Sequence, residues 1–252
     1  MDFLEKIITE KKQEIQKMPL EKLQPLRQTT SFYERVKKNP EKIHIIGEVK
    51  RASPSKGAIN LSVNVIEQAK AYEKAGVTAI SVLTDPTFFK GSIEDLRQVA
   101  AEVSIPVLCK DFIIDEKQLI RARNAGATIV LLIVSALSRS RLKKLYEQAR
   151  TLGLEVLVEV HDEQEQTIAE ELGASLIGVN NRNLKTFDVS LNVSQLLGEK
   201  QRTDAVYISE SGFSDATQVE QVKDKYQAIL VGEGLMRQTE PMDKVKELQV
   251  SR

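Results

Sequence analysis

Glutamates and lysines stand at the ends of short apolar runs in this chain, and together they form a set suited to moving protons. In Ile46-Gly47-Glu48-Val49-Lys50, Glu48 and Lys50 are two residues apart and so share one face of an extended segment. The same parity turns Leu108 and Lys110 inward and Cys109 outward. Glu159 points away from Val158 and Val160, and Gly178, Asn180 and Arg182 share a face. A further run ends at Glu210-Ser211-Gly212. Carboxylates and amines gathered without metal-ligand spacing point to acid–base chemistry. Taken singly, each is as readily a solvated rim charge. Converging in one confined mouth, they cost stability unless they are used.

Glycine turns follow two of these runs, Ser209-Glu210-Ser211-Gly212 and Gly232-Glu233-Gly234. Backbone N–H groups exposed there suit an anion, although glycine also serves simply to turn a chain. Ser53-Pro54-Ser55-Lys56-Gly57 is a polar loop that could add donors from across the mouth. Phe112 could wall an aromatic ligand or fill space. His44 lies at the far end of its run, which suits a structural role. His161 follows Val160 with no partner evident in the sequence, and Cys109 reads as inert core.

The elements that must position these residues are short β-branched runs alternating with amphipathic segments. Strands are expected at Ile43–Val49, Ala79–Leu83, Pro106–Lys110, Thr128–Ile133, Glu155–Val160, Leu176–Asn180, Val206–Glu210 and Ala228–Val231. Helices are expected between them at Asn64–Ala75, Lys117–Asn124, Arg139–Leu152, Asp162–Leu172 and Asp215–Lys225. Gly76, Gly126, Gly153 and Gly173 each separate a helix from the next strand, as a left-handed C-terminal residue does. Eight near-regular units favour closure into an α/β (β/α)₈ TIM barrel over an open doubly wound sheet. Before the first strand, an apolar stripe runs through Phe3, Leu4, Ile7, Ile8, Ile15 and Met18 and stops at Pro19. Ser31 and Glu34 then have capping-box spacing. These segments suggest a helical extension over residues 1–42, packed on a barrel over 43–252.

At 252 residues the chain has the usual length of one such barrel. With 36 basic and 36 acidic residues, no charge excess points to nucleic acid or a membrane surface. The apolar run Ile129 to Val134 is far below the roughly 18 residues of a membrane span. Charges at Glu5, Lys6, Glu10, Lys11 and Lys12 do not suit a secretory signal, and a single cysteine fits a reducing cytoplasm. The oligomeric state is left open, and a monomer is compatible with the sequence.

Several stretches resemble the indole-3-glycerol phosphate synthase family. The opening signature is similar at Glu48-Val49-Lys50-Arg51-Ala52-Ser53-Pro54-Ser55-Lys56-Gly57, as is Lys110-Asp111-Phe112-Ile113-Ile114-Asp115. The likeness continues at Gly178-Val179-Asn180-Asn181-Arg182-Asn183-Leu184, at Ser209-Glu210-Ser211-Gly212 and at Gly232-Glu233-Gly234-Leu235-Met236-Arg237. Position 234 often carries another small residue in that family. The resemblance implies the substrate 1-(2-carboxyphenylamino)-1-deoxyribulose 5-phosphate and a sequence of ring closure, decarboxylation and dehydration in tryptophan biosynthesis. It implies catalytic roles for Glu48, Lys50, Lys110, Glu159, Asn180, Glu210 and Ser211. Ser53, Gly212, Gly232 and the backbone of Glu233 would hold the phosphate, while Arg182 and Phe112 would line the substrate. The residues themselves suggest neither metal nor organic cofactor: the mouth carboxylates come from separate strands beside two lysines, no histidine pair or clustered aspartates supply ligand geometry, and no Gly-x-Gly-x-x-Gly turn follows a strand.

Without the resemblance, a phosphosugar isomerase or an aldolase would fit the same residues, with Lys110 as a Schiff-base lysine. A non-catalytic barrel that binds a phosphorylated ligand would need the glycine loops but not the carboxylates and amines. Borohydride trapping with substrate would reveal an aldolase, since ring closure forms no covalent adduct.

Overall fold

Short apolar runs buried on both faces, separated by capped helices, fold into a closed parallel barrel. In a computed structural model that describes residues 3–54, 57–238 and 240–252, eight strands form it. They are β1 (His44–Val49), β2 (Ala79–Leu83), β3 (Val107–Lys110), β4 (Ile129–Ile133), β5 (Glu155–Val160), β6 (Leu176–Asn180), β7 (Val206–Glu210) and β8 (Ala228–Val231). Each pairs in parallel with its chain neighbour, and β1 closes the ring against β8. The chain is therefore a (β/α)₈ TIM barrel. Strands β1, β3 and β4 begin one residue later than the apolar runs suggest. Pro106 explains one case: it has no N–H to donate, although its carbonyl accepts from Ile80 at 3.0 Å.

Helices return the chain on the outside. Asn64 caps Val65–Ala75 with its side chain, Asp162 caps Glu163–Glu171, and Gly76 ends the first of these at φ 93°. The helix expected over Asp215–Lys225 is shorter, Ala216–Glu220. Beyond it the chain tightens into i→i+3 bonds, such as Lys225 N–H to Val222 O.

Strand parity splits the core in two. Ile46, Leu108, Leu131, Leu157, Ile208 and Leu230 pack inside the barrel. Ile45, Val82, Cys109, Val130, Val158 and Ile229 pack outward against the helices. Cys109 thus faces the helices, where burial and nearby Asp111 push its thiol up to about 12.

The two N-terminal helices sit at opposite ends of the barrel. Helix α2 (Phe32–Lys38) plugs the N-terminal end of the strands, with Phe32 and Val36 completing the inner core. Ser31 accepts from Glu34 N–H, but the other half of the expected capping box is absent among the described contacts. Glu155 at the start of β5 supplies the carboxylate instead, accepting from Ser31 Oγ, Phe32 N–H and Tyr33 N–H at 2.8, 2.7 and 3.0 Å. A tertiary partner thus satisfies the first N–H groups of the helix. Helix α1 (Phe3–Lys17) lies across the other end, over the mouth.

Candidate active site

The mouth at the C-terminal ends of the strands encloses a cavity of about 710 Å³. Strand register brings its charges level: Glu48 pairs with Ser81, Leu83 with Lys110, Glu159 with Gly178, and Asn180 with Glu210. Lys110 Nζ stands among three carboxylates, 3.2 Å from Glu210, 3.7 Å from Glu159 and 3.9 Å from Glu48. Lys50 Nζ lies 2.6 Å from the other oxygen of Glu48. Asn180 donates to Glu159 Oε1 at 3.1 Å and accepts from Ser211 Oγ at 3.0 Å.

Burial and charge set the protonation states. Burial opposes the charge on Lys110, but Glu210, Glu159 and Glu48 outweigh it and raise its pKa, so the amine is an ammonium at neutral pH. Burial also opposes ionisation of Glu159, yet Lys110 and His161 hold it down at about 2. Glu48 is likewise lowered, because Lys50 and Lys110 overcome its burial. Glu210 goes the other way, pushed up to about 7 by burial and by the charges of Glu159 and Glu48, against the pull of Lys110. The mouth thus holds ionised carboxylates, ammonium donors and one carboxyl poised near neutrality.

Two glycines make room for these charges. A Cβ at position 178 would stand 2.0 Å from Glu210 Oε1, and one at 232 would stand 2.6 Å from Glu48 Oε1 and 3.0 Å from Lys50 Nζ. For Gly178, a glycine inside a strand is the sequence signal for such a close approach. Gly234 has a different reason, since a Cβ there would meet the backbone oxygen of Phe213 at 2.7 Å. The loops after β7 and β8 therefore touch backbone to backbone.

Ser53, Gly212, Gly232 and Glu233 all line the cavity. Ser211 is held at φ 68°, an uncommon conformation for a residue with a side chain. Buried Asn181 secures it, with Nδ2 3.0 Å from Glu210 O and 3.1 Å from Ser211 O. The Glu233 carboxylate pairs with Arg237 at 2.6 Å. Ser53 belongs to a two-residue hairpin strand, Ala52–Ser53, paired with Gly57–Ala58. Ser55 and Lys56 lie outside the described residues. Arg182 lines the rim and donates to Phe187 O at 3.0 Å. Phe112 does both things its position allows, lining the cavity and packing on the inner core.

Helix α1 contributes what the sequence did not reveal. Phe3, Leu4 and Ile7 roof the cavity, and the Phe3 ring meets Phe88 and Phe187 edge-on, at 5.4 and 5.0 Å between centroids. One turn on from Ile7, Lys11 is only 1% exposed, with Nζ 3.0 Å from Asp85 and 2.8 Å from Asp111. Asp111 directly follows Lys110, so α1 is pinned beside the ammonium it covers. The i, i+4, i+8 spacing of Phe3, Ile7 and Lys11 was the available signal that Lys11 shares the buried face. His44 is structural, bonded to Thr78 Oγ1 and Asn39 O at 2.8 and 2.9 Å at the opposite end of the barrel. His161, without an evident partner in sequence, has two carboxylates against it.

Solved structures share the fold. A 3-hexulose-6-phosphate synthase superposes with a TM-score of 0.66 at 19% identity, covering 82% of this chain and 98% of the other. The sequence comparison is far more specific. The chain is 61% identical to the indole-3-glycerol phosphate synthase of Listeria welshimeri over 252 residues, which is the whole of both chains. It is 52% identical over 251 residues to that of Streptococcus gordonii, covering 100% of this chain and 98% of the relative. A family model for indole-3-glycerol phosphate synthase matches residues 4–248. On that full-length match, the chain belongs to the indole-3-glycerol phosphate synthase family.

Proposed function

We propose that the mouth residues divide the family's reaction among themselves as follows. The family makes this chain a decarboxylating lyase that closes, decarboxylates and dehydrates 1-(2-carboxyphenylamino)-1-deoxyribulose 5-phosphate. The observation that carries the division is the Lys110 ammonium ringed by carboxylates from β1, β5 and β7.

The ring carbon bearing the carboxylate attacks the sugar ketone, and the ketone oxygen takes a proton as it becomes a hydroxyl. Lys110 supplies that proton, and Lys50 pairs with the substrate carboxylate. Carbon dioxide leaves, and its bonding electrons restore the aromatic ring. The hydroxyl then departs as water, protonated by an ammonium of the pair, while Glu159 and Glu48 take up the proton released as the indole forms. Two protons are donated and one removed; the difference matches a carboxylate that leaves as neutral carbon dioxide. Asn180 and Ser211 orient hydroxyls, Glu210 supports the Lys110 ammonium, Arg182 and Phe112 line the substrate, and Ser53, Gly212, Gly232 and the Glu233 backbone hold the phosphate.

Residues 1–42 act in this reading as an extension that covers the mouth and plugs the base of a catalytic barrel over 43–252. Among the described residues no helix is long and apolar enough to cross a membrane, and a cytoplasmic location is part of the proposal, with a small phosphosugar as the ligand, no nucleic acid or membrane partner, and a monomer sufficient for the site. Given the carboxyphenylamino sugar phosphate, the purified chain is expected to generate indole absorbance and fluorescence. The rate should be unchanged after exhaustive dialysis against EDTA, because ammonium groups fill the acid role and no group of likely metal ligands occurs among the described residues. Activity restored only by added magnesium or zinc would overturn this division of labour.

Inorganic phosphate or sulfate should compete with substrate at the loops after β7 and β8, and crystals grown in sulfate should hold an anion there. A dephosphorylated product analogue that binds as tightly as the phosphorylated one would remove the phosphate assignment.

A further inference from the structure

Of the buried titratable groups that the reaction as described leaves unused, His161 has the most specific surroundings. It follows β5 directly, two residues beyond Glu159, and its side chain is 16% exposed. Nδ1 lies 3.0 Å from Glu165 Oε2, and the same oxygen accepts from the His161 backbone N–H at 2.9 Å. Nε2 lies 3.2 Å from Glu159 Oε1, off the line of a straight hydrogen bond, so that contact is a charge pair. Glu165 is fixed in turn by the first turn of helix Glu163–Glu171, which Asp162 caps through Glu165 N–H. A neutral imidazole carries one N–H and leaves its other nitrogen as a lone pair. Flanked by a carboxylate on each side, such a ring would set that lone pair against an anion. Both nitrogens must carry protons, and the ring is a cation.

We propose that His161 is a positioning residue for the reaction: as an imidazolium held between Glu165 and Glu159, it keeps Glu159 charged and aimed for proton removal. The groups facing Glu159 divide by oxygen. Asn180 from β6 and His161 hold Oε1, while Oε2 is turned to Lys110 from β3 at 3.7 Å. Glu48 and Glu210 share the mouth with it, and the Glu159 charge pushes both of them upward. Lys110 is the main counter-ion, but an acid that has given up its proton no longer supports a neighbouring carboxylate. His161 lies outside the set that exchanges protons with substrate, so its charge persists through that moment. The electrostatics agree with the geometry. Burial disfavours the imidazolium, yet Glu159 and Glu165 raise His161 to about 10. Glu159, despite burial, is held at about 2 by Lys110 and His161.

The inference rests on Glu159 serving as the base, and the experiment separates the two ideas. The chain has two histidines, so ring NMR of the intact protein reads both, and loss of a signal in His161→Gln assigns them. The His161 ring should remain protonated above pH 8, whereas His44, lowered chiefly by its burial, titrates below the usual range. In the kcat–pH profile, His161→Gln should move the acid limb upward by about 1 to 3 units, with KM little changed. His161→Lys, which restores a cation, should bring the limb back. A purely structural role would lower activity at all pH values without moving the limb. A ring already neutral at pH 7, or a folded His161→Gln protein whose limb stays in place, would overturn the proposal. If His161→Gln fails to fold, the titration of the wild-type ring decides alone, with assignment through His44→Asn. Glu159→Gln tests the base separately: undiminished turnover there would remove the role of Glu159, while the NMR still reports the charge on His161.

Discussion

Lys110→Ala is expected to lower kcat by about 10² to 10⁴, with a much smaller change in KM. The amine stands within 4 Å of Glu48, Glu159 and Glu210, at the point where the ketone oxygen gains charge in the proposed reaction. Phosphate and aromatic contacts come from other loops, so binding should survive. The loss has two parts. The proton donor disappears, and three buried carboxylates lose their shared counter-ion. Glu159, now at about 2, and Glu48 should both shift upward and become poorer at staying ionised. The kcat–pH profile of the variant should therefore show its acid limb at higher pH than the wild type. Steady-state kinetics across the pH range check both parts, and an unchanged kcat would show that the acid is elsewhere.

Lys11→Met is expected to lower the stability of the fold by about 3 to 5 kcal/mol, the usual cost of removing one partner from a buried ion pair. Asp85 and Asp111 are 2% and 3% exposed in their side chains and would lose their ammonium. Thr84 would still donate to Asp111 at 2.6 Å, which leaves the charge itself uncompensated. Burial lowers the Lys11 pKa, but Asp111 and Asp85 more than reverse it and raise it above the ordinary lysine value. The stability it contributes is thus fully present at neutral pH and is lost only as pH climbs through that raised value. Chemical denaturation at pH 7 checks the prediction, with Lys12→Met at the exposed neighbouring position as the control. A midpoint equal to that of the control would show that the pair does not hold α1 in place. Because α1 roofs the cavity and Asp111 follows Lys110, the variant should also bind substrate more weakly.

The barrel strands were legible as short β-branched apolar runs between amphipathic segments, and parity within those runs put Glu48, Lys110, Glu159, Asn180 and Glu210 on the face that lines the mouth. Parity also put Cys109 among the helices correctly. Boundaries were less sharp, as at Pro106, where the missing N–H, not hydrophobicity, sets the first paired residue. The capping box at Ser31 was half right: Ser31 accepts from Glu34 N–H, while the first helical N–H groups and the Ser31 hydroxyl go to Glu155, far along the chain.

By itself the sequence determined the closed alternation of strands and helices, which polar groups face the barrel mouth, and the family. All of these follow from local periodicity and ordered motifs. Only the tertiary structure decided how those groups are paired and what covers them. The ring of carboxylates around Lys110 depends on register between strands, and the space for Glu210 depends on a glycine one strand away. The charge on His161 depends on a carboxylate from the following helix and another from within the mouth. Lys11 reads in the sequence as one more surface lysine among Glu10 and Lys12. It becomes a buried anchor because α1 crosses the mouth and meets two aspartates 74 and 100 residues further on. Helical spacing marks Lys11 as sharing the buried face, but electrostatic energy falls off with distance in space and takes no account of separation along the chain, so no local pattern could have shown its partners.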